Sequence, residues 1–133
     1  MIFVDTGAFY ARYVRRDMHF DLATRLWREL QGTPLLTTNH VIEESLTLLA
    51  RRAGYEYAAN LADRVFRSTT IEVVYTTREE ELAALPLLKK FADQRIGFTD
   101  CISFAVMRRH GVKQAFTFDR HFADAGFQII EIS

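Results

Sequence analysis

Five short apolar runs, at 1–4, 35–37, 71–75, 115–118 and 127–132, are separated by stretches whose apolar residues recur at helical spacing. This alternation constrains the fold more than any other feature of the chain. Parallel strands need a long crossover connection, usually a helix. The pattern therefore predicts an α/β fold, a three-layer α/β/α sandwich around a central, mostly parallel sheet. Helix boundaries are marked locally. Residues from Gly7 to Val14 open one helix, and Gly32 and Pro34 end a stripe of Ala23, Leu26, Trp27 and Leu30. Thr38 or Asn39 caps a helix with the inward stripe Val41, Ser45, Leu48 and Leu49, and Gly54 stops it. Ala58, Leu61, Ala62, Val65 and Phe66 mark the next. Thr77 and Glu80 form a capping box ahead of a helix that Pro86 is expected to kink. Thr99 is expected to cap the helix of Ile102, Ala105 and Val106, which Gly111 ends.

The length of 133 residues and the hydrophobic share of 49% suit a single domain, 1–133, with one buried core. No linker, repeat or low-complexity segment divides it. Neither a membrane span nor a signal peptide is visible, and Cys101 is the sole cysteine. A reducing cytoplasm is the expected location, with no internal disulfide or cysteine metal cluster. Lys and Arg number 17, as do Asp and Glu, so the formal charge is zero. Nucleic-acid binders often carry a positive excess, so binding of that kind here requires charges segregated on the surface.

The opening residues, MIFVDTGAF, contain the Asp-Thr-Gly tripeptide of aspartic proteases. That chemistry needs an all-β setting and a glycine-rich flap. Only four residues precede Asp5, helical periodicity fills the middle, and glycines number 6. The α/β order gives Asp5 a different meaning, because in open α/β sheets ligands bind beyond the carboxyl ends of the strands. Asp5 sits where the first strand ends, with Thr6 adding a hydroxyl and Gly7 expected to supply a tight turn. Asp119 sits at the equivalent place after 115–118. Asp100 falls in the first turn of its helix, and Glu43 and Glu44 fall in the first turns of the helix after the second strand. Helices in this architecture start at strand carboxyl ends, so these acids line one rim. An acid directly after a buried strand is costly without a role. Crowded carboxylates raise one another's pKa, and a divalent cation supplies the missing countercharge. All-oxygen ligands favour Mg2+ or Mn2+ over zinc, and the 4 histidines show no metal-ligand spacing.

Four blocks, FVDTGAFYA, TTNHVIEESLTLLARR, DQRIGFTDCISFAVMRRHG and AFTFDRHFADAGF, stand in an order and spacing that resembles PIN-domain ribonucleases. The resemblance is specifically to the VapC-like toxins of prokaryotic toxin–antitoxin pairs, and it covers nearly the whole chain. It implies a PIN-like fold and a metal-dependent endoribonuclease using Mg2+ or Mn2+, as one or two ions. Carried over by position, the metal-ligating and catalytic acids are Asp5, Glu44, Asp100 and Asp119. The family pattern of valine, two residues, acid and then Ser or Thr selects Glu44 over Glu43. Asp93 and Thr117 match family positions that support the acids, and Thr6 joins them as a hydroxyl beside Asp5. In the implied reaction a water activated by the ion attacks a phosphodiester in line, leaving a 5′-phosphate and a 3′-hydroxyl. The resemblance also implies an RNA substrate cut in single-stranded or loop regions, a homodimer, and a small antitoxin that inserts a basic side chain into the acidic site.

Arg12, Arg15, Arg16 and Arg120 follow the first and fourth acids closely and are the candidates for RNA-backbone contacts. Arg51, Arg52, Arg108 and Arg109 end their helices, opposite the rim, and are poorer ones. Three rival functions compete. A metal-independent nuclease needs two histidines at one phosphate, and in sequence His121 alone adjoins the acids. A phosphoacceptor receiver would place a lysine after its last parallel strand, where this chain has Arg120. A non-catalytic PIN-like RNA- or protein-binding module has no need of the four acids, all of which are present.

Overall fold

Ile2, Phe3 and Val4 point alternately to opposite faces of a strand, and all three are buried, so that strand is covered on both sides. A computed structural model describes residues 1–132 and places this strand at the centre of a five-stranded sheet. The strands are β1 (Ile2–Val4), β2 (Leu35–Thr38), β3 (Ile71–Val74), β4 (Gln114–Phe116) and β5 (Gln128–Ile129). Their order is β3-β2-β1-β4-β5, and every pairing is parallel. At one edge β3 is only partly buried, as an outer strand should be. The helices are α1 (Thr6–Tyr13), α2 (Phe20–Glu29), α3 (Asn39–Arg52), α4 (Tyr55–Arg67), α5 (Arg78–Lys90), α6 (Phe98–Arg109) and α7 (His121–Asp124). They cover both faces, giving the expected α/β/α sandwich with a fully parallel sheet.

The core is aromatic on both sides of β1. Phe3, Phe104 and Phe122 pack together, with Phe104 meeting Phe122 edge-on at 4.9 Å. Trp27 lies 5.5 Å from Phe9 and 5.0 Å from Phe116, and its indole N–H donates to the Ala8 carbonyl at 3.0 Å. A buried indole needs such an acceptor, so this bond ties α2 to α1.

Several local expectations hold. Thr38 caps α3 by accepting from the Val41 N–H at 3.1 Å, and the Thr77–Glu80 capping box opens α5. Gly54 ends α3 at φ 120°, a left-handed value that favours glycine. Others need correction. Gly7 makes no tight turn, because α1 starts at Thr6 directly after the extended Asp5. Thr99 is not a cap: it lies inside α6, which starts at Phe98 behind the extended Gly97, and no side chain caps it. Pro86 sits inside α5, which continues to Lys90. Phe66 faces solvent, and Ile42 takes a place in the α3 stripe where Leu48 is only half-buried. The last strand shrinks to Gln128–Ile129, since only those residues pair with β4.

Candidate active site

From β1 the chain travels outward to β2 and β3, then returns across the sheet to β4 and β5. The direction of travel reverses between β1 and β4. Connections leave these neighbours in opposite directions, which opens a crevice at their carboxyl ends. Asp5 follows β1 directly, and Thr117, Phe118 and Asp119 follow β4. From the other side come α3, starting at the end of β2, and the first turn of α6. The resulting crevice of about 440 Å3 is lined by Asp5, Thr6, Glu44, Asp100, Asp119 and Arg120, with Gly7 and Phe118 completing the wall.

The acids are held by a short hydrogen-bonded relay. Thr117 is buried and donates its hydroxyl to Asp5 Oδ2 at 2.8 Å, while its oxygen accepts the Asp119 backbone N–H at 3.0 Å. One hydroxyl thereby fixes both strand-end acids. Asp119 Oδ1 accepts the His121 backbone N–H at 2.9 Å and lies 3.0 Å from His121 Nδ1. Beneath them, Thr37 donates to the Val4 carbonyl at 2.8 Å and satisfies the strand end before Asp5. Ligand atoms of Asp100, Asp119 and His121 lie within 4.8 Å of one another. Asp5 and Glu44 line the same crevice.

Burial and mutual repulsion govern the protonation of these acids. Asp5 is 6% exposed, and its pKa is raised to about 6. Desolvation is the main cause. The bonds from Thr117 and the Thr6 backbone oppose it, and the charges of Asp119 and Glu44 add to it. Asp100 is pushed to about 8, first by burial and then by Asp5, Asp119 and Glu44. The positive end of α6 would on its own favour the anion there, so the neighbouring charges and burial win. Thr6 Oγ1 is buried without any hydrogen-bond partner.

These features fit a hard divalent cation. The donor set is mainly carboxylate oxygen, the carboxylates resist ionising together, and an orphaned hydroxyl waits beside Asp5. Asp5, Glu44, Asp100 and Asp119 would hold the ion, with His121 near enough to join or to orient Asp119. Of the two adjacent glutamates, Glu44 lines the crevice and Glu43 does not. Both are exposed, so the distinction is one of direction.

The other predicted residues divide. Arg120 lines the crevice. Arg12, Arg15 and Arg16 instead line a separate groove with Arg52, because α1 carries them away from Asp5. Asp93 is exposed in a short 3-10 turn, Ala92–Gln94, and is absent from the crevice wall. Two histidines emerge that sequence reasoning underused. The Asp-x-His spacing at Asp119 and His121 was a readable signal for their contact. The other is His19, whose ring stacks on Phe118 at 4.3 Å. Nothing local in the sequence pairs those two residues.

Comparisons with known proteins bear on the family and the fold. The family model described as PIN domain matches residues 2–128. The 23S rRNA-specific endonuclease VapC20 of Mycobacterium tuberculosis is 39% identical over 127 residues, covering 96% of this chain and 95% of that protein. A VapC ribonuclease of Archaeoglobus fulgidus is 31% identical, covering 77% of this chain and 67% of its own length. The crystal structure of VapC20, described as a Sarcin-Ricin loop cleaving toxin, superposes with a TM-score of 0.92 at 35% identity, over 98% of this chain and 99% of that one. FitAcB from Neisseria gonorrhoeae shares the fold at a TM-score of 0.64 and 15% identity, covering 98% of this chain and 97% of its own.

Proposed function

The chain belongs to the PIN domain family, and from that premise we propose that it is an endoribonuclease of the VapC type, the toxin of a toxin–antitoxin pair. One observation carries the reading: four carboxylates from four separate segments line a single crevice, and two of them are held well above the usual carboxylate range. The substrate class that the VapC20 relationship supports is a loop of the large ribosomal RNA. A divalent ion, Mg2+ or Mn2+, bound by Asp5, Glu44, Asp100 and Asp119 would lower the pKa of a water and stabilise charge on the phosphate.

The chain's own residues prepare that chemistry. Thr117 holds Asp5 and Asp119 in fixed orientation, and His121 holds Asp119 from the other side. Arg120, on its rim, is placed to meet a phosphate oxygen and position the backbone. Phe118, clamped by His19, walls the cleft beside Gly7. Asp93 is retained only as an outer supporter. The reaction class is hydrolysis by in-line attack of water, leaving a 5′-phosphate. The expected partners are RNA, a small antitoxin with a basic side chain for the acidic crevice, and a second copy of the chain. A single domain acting in the cytoplasm completes this reading, and no helix of the described residues is long and apolar enough to cross a membrane.

The test is cleavage of total RNA by purified protein with Mn2+ or with EDTA, beside an Asp5→Asn variant. Wild type with Mn2+ is expected to cut, and the other combinations to leave RNA intact. Equal cutting by the variant overturns the site. A second reading draws on His19 and His121, which bring two imidazoles to the crevice region. Cleavage that survives EDTA would favour that metal-independent nuclease. RNA binding without turnover would favour a non-catalytic module.

A further inference from the structure

The far end of α1 opens onto a second concave surface, of about 550 Å3, and its lining is chemically the reverse of the acid crevice. Arg12, Arg15 and Arg16 meet Arg52, from the end of α3, with Tyr13 and Tyr57 between them. No carboxylate lines this groove. In a chain of zero net charge, four arginines around one hollow and four acids around another mean that charge is sorted by region. The groove is also built rather than accidental. Arg16 Nη2 donates to the Arg52 carbonyl at 3.0 Å and joins the ends of α1 and α3. Arg12 lies over the Trp27 ring at 4.6 Å, and Arg64 stands close enough to repel it. The dipoles of two helix C-termini favour some positive charge here, and Arg64, outside the groove, adds to the charge beside Arg12. Tyr57 is 47% exposed and offers a flat face of the kind on which bases stack.

We infer that this groove binds the phosphodiester backbone of RNA, as a surface separate from the acid crevice, and holds the substrate a few nucleotides from the bond to be cut. The inference rests on the endoribonuclease reading above. Helix α1 has 8 residues and so spans roughly 12 Å, with Thr6 at the acids and Tyr13 at the arginines. A strand lying along it reaches both sites. Planar guanidinium groups match phosphate oxygens, and aromatic faces between them suit bases better than an acidic peptide.

Arg15 and Arg52 are the residues to change. Both are exposed, neither side chain caps a helix, and Arg52 makes only a loose contact with the Tyr10 ring, at 5.9 Å. The double variant Arg15→Ala/Arg52→Ala should keep the wild-type melting temperature. The probe is a fluorescein-labelled single-stranded RNA of about 20 nucleotides, bound in EDTA between roughly 50 and 200 mM salt. Loss of two phosphate contacts should flatten the log–log salt dependence by about 1.4 and weaken binding roughly tenfold near 100 mM. With Mn2+ the same variant should cleave with a raised KM and an unchanged kcat. An unchanged salt slope and affinity in the variant, beside a wild type that cleaves, overturns the groove and leaves the nuclease reading standing. A wild type that neither binds nor cleaves RNA overturns both. Weakened binding of a poly-glutamate peptide with RNA binding intact would assign the groove to an acidic protein segment instead.

Discussion

Asp5 and Glu80 are both almost fully enclosed, at 6% and 4% exposure, yet their carboxyl groups shift in opposite directions. Burial pushes both upward. At Glu80 it is outweighed by the Thr77 backbone N–H and hydroxyl, at 2.9 and 3.2 Å, and by Arg109 and His110, so the pKa falls below its ordinary value. At Asp5 a single hydroxyl from Thr117 and the Thr6 backbone oppose burial, while two further carboxylates reinforce it. Glu80 is therefore a structural anion that closes the first turn of α5: Oε1 takes both Thr77 bonds, while Oε2 is buried without a hydrogen-bond partner and has His110 Nε2 at 3.6 Å. Asp5 is an anion whose countercharge the chain does not supply. The contrast separates a carboxylate that serves the fold from one that waits for a ligand.

The largest expected effect comes from exchanging each for its amide. Asp5→Asn should reduce metal-dependent RNA cleavage by more than about 100-fold, since even residues that only support a ligand are worth 10- to 100-fold. The same change should leave the metal-free melting temperature unchanged or higher, because it removes an uncompensated charge. Glu80→Gln should do the reverse, lowering the melting temperature with full activity retained. Equal loss of stability in the two variants would break the comparison.

Thr117→Val comes next. It removes the hydroxyl that joins Asp5 to Asp119, and should cut Mn2+ affinity and cleavage by roughly 10- to 100-fold. The Asp5 carboxyl should then titrate still higher, because its main favourable bond is gone; an NMR pH titration reads this directly. Thr77→Ala is the smallest, costing about 1 kcal/mol in a denaturant titration through the lost cap, with no change in cleavage.

Much of this was legible because the responsible forces are local. The acids after β1 and β4 follow from strand ends that can be read as apolar runs stopping at Asp5 and near Asp119. The Thr77–Glu80 box and the Gly54 stop depend on neighbours within one helical turn. The readings that sequence could not settle depend on direction. Arg12, Arg15 and Arg16 lie near Asp5 in sequence, but a helix of 8 residues carries them to a separate groove at its far end, beside Arg52. Thr99 looked like a cap by residue type, and the extended Gly97 placed the boundary earlier. The stacking of His19 on Phe118 joins segments far apart in the chain, and no spacing announces it.

The central claim is that Asp5 and its neighbours are uncompensated until a cation joins them. Their pKa values, raised from 3.8 to about 6 for Asp5 and about 8 for Asp100, fix the sign of the pH dependence. Between these limits the unfolded chain has released protons that the folded one retains, so stability falls as pH rises. Glu80 acts only in more acidic solution, where protonation removes its contribution as pH falls through its depressed folded value. The deciding measurement is the melting temperature from about pH 5 to 8, with and without Mn2+, for wild type and Asp5→Asn. Without metal the wild type should melt progressively lower as pH rises, and Mn2+ should restore it most at the alkaline end and far less in the variant. A flat metal-free curve, with the same Mn2+ shift in both proteins, would contradict the account.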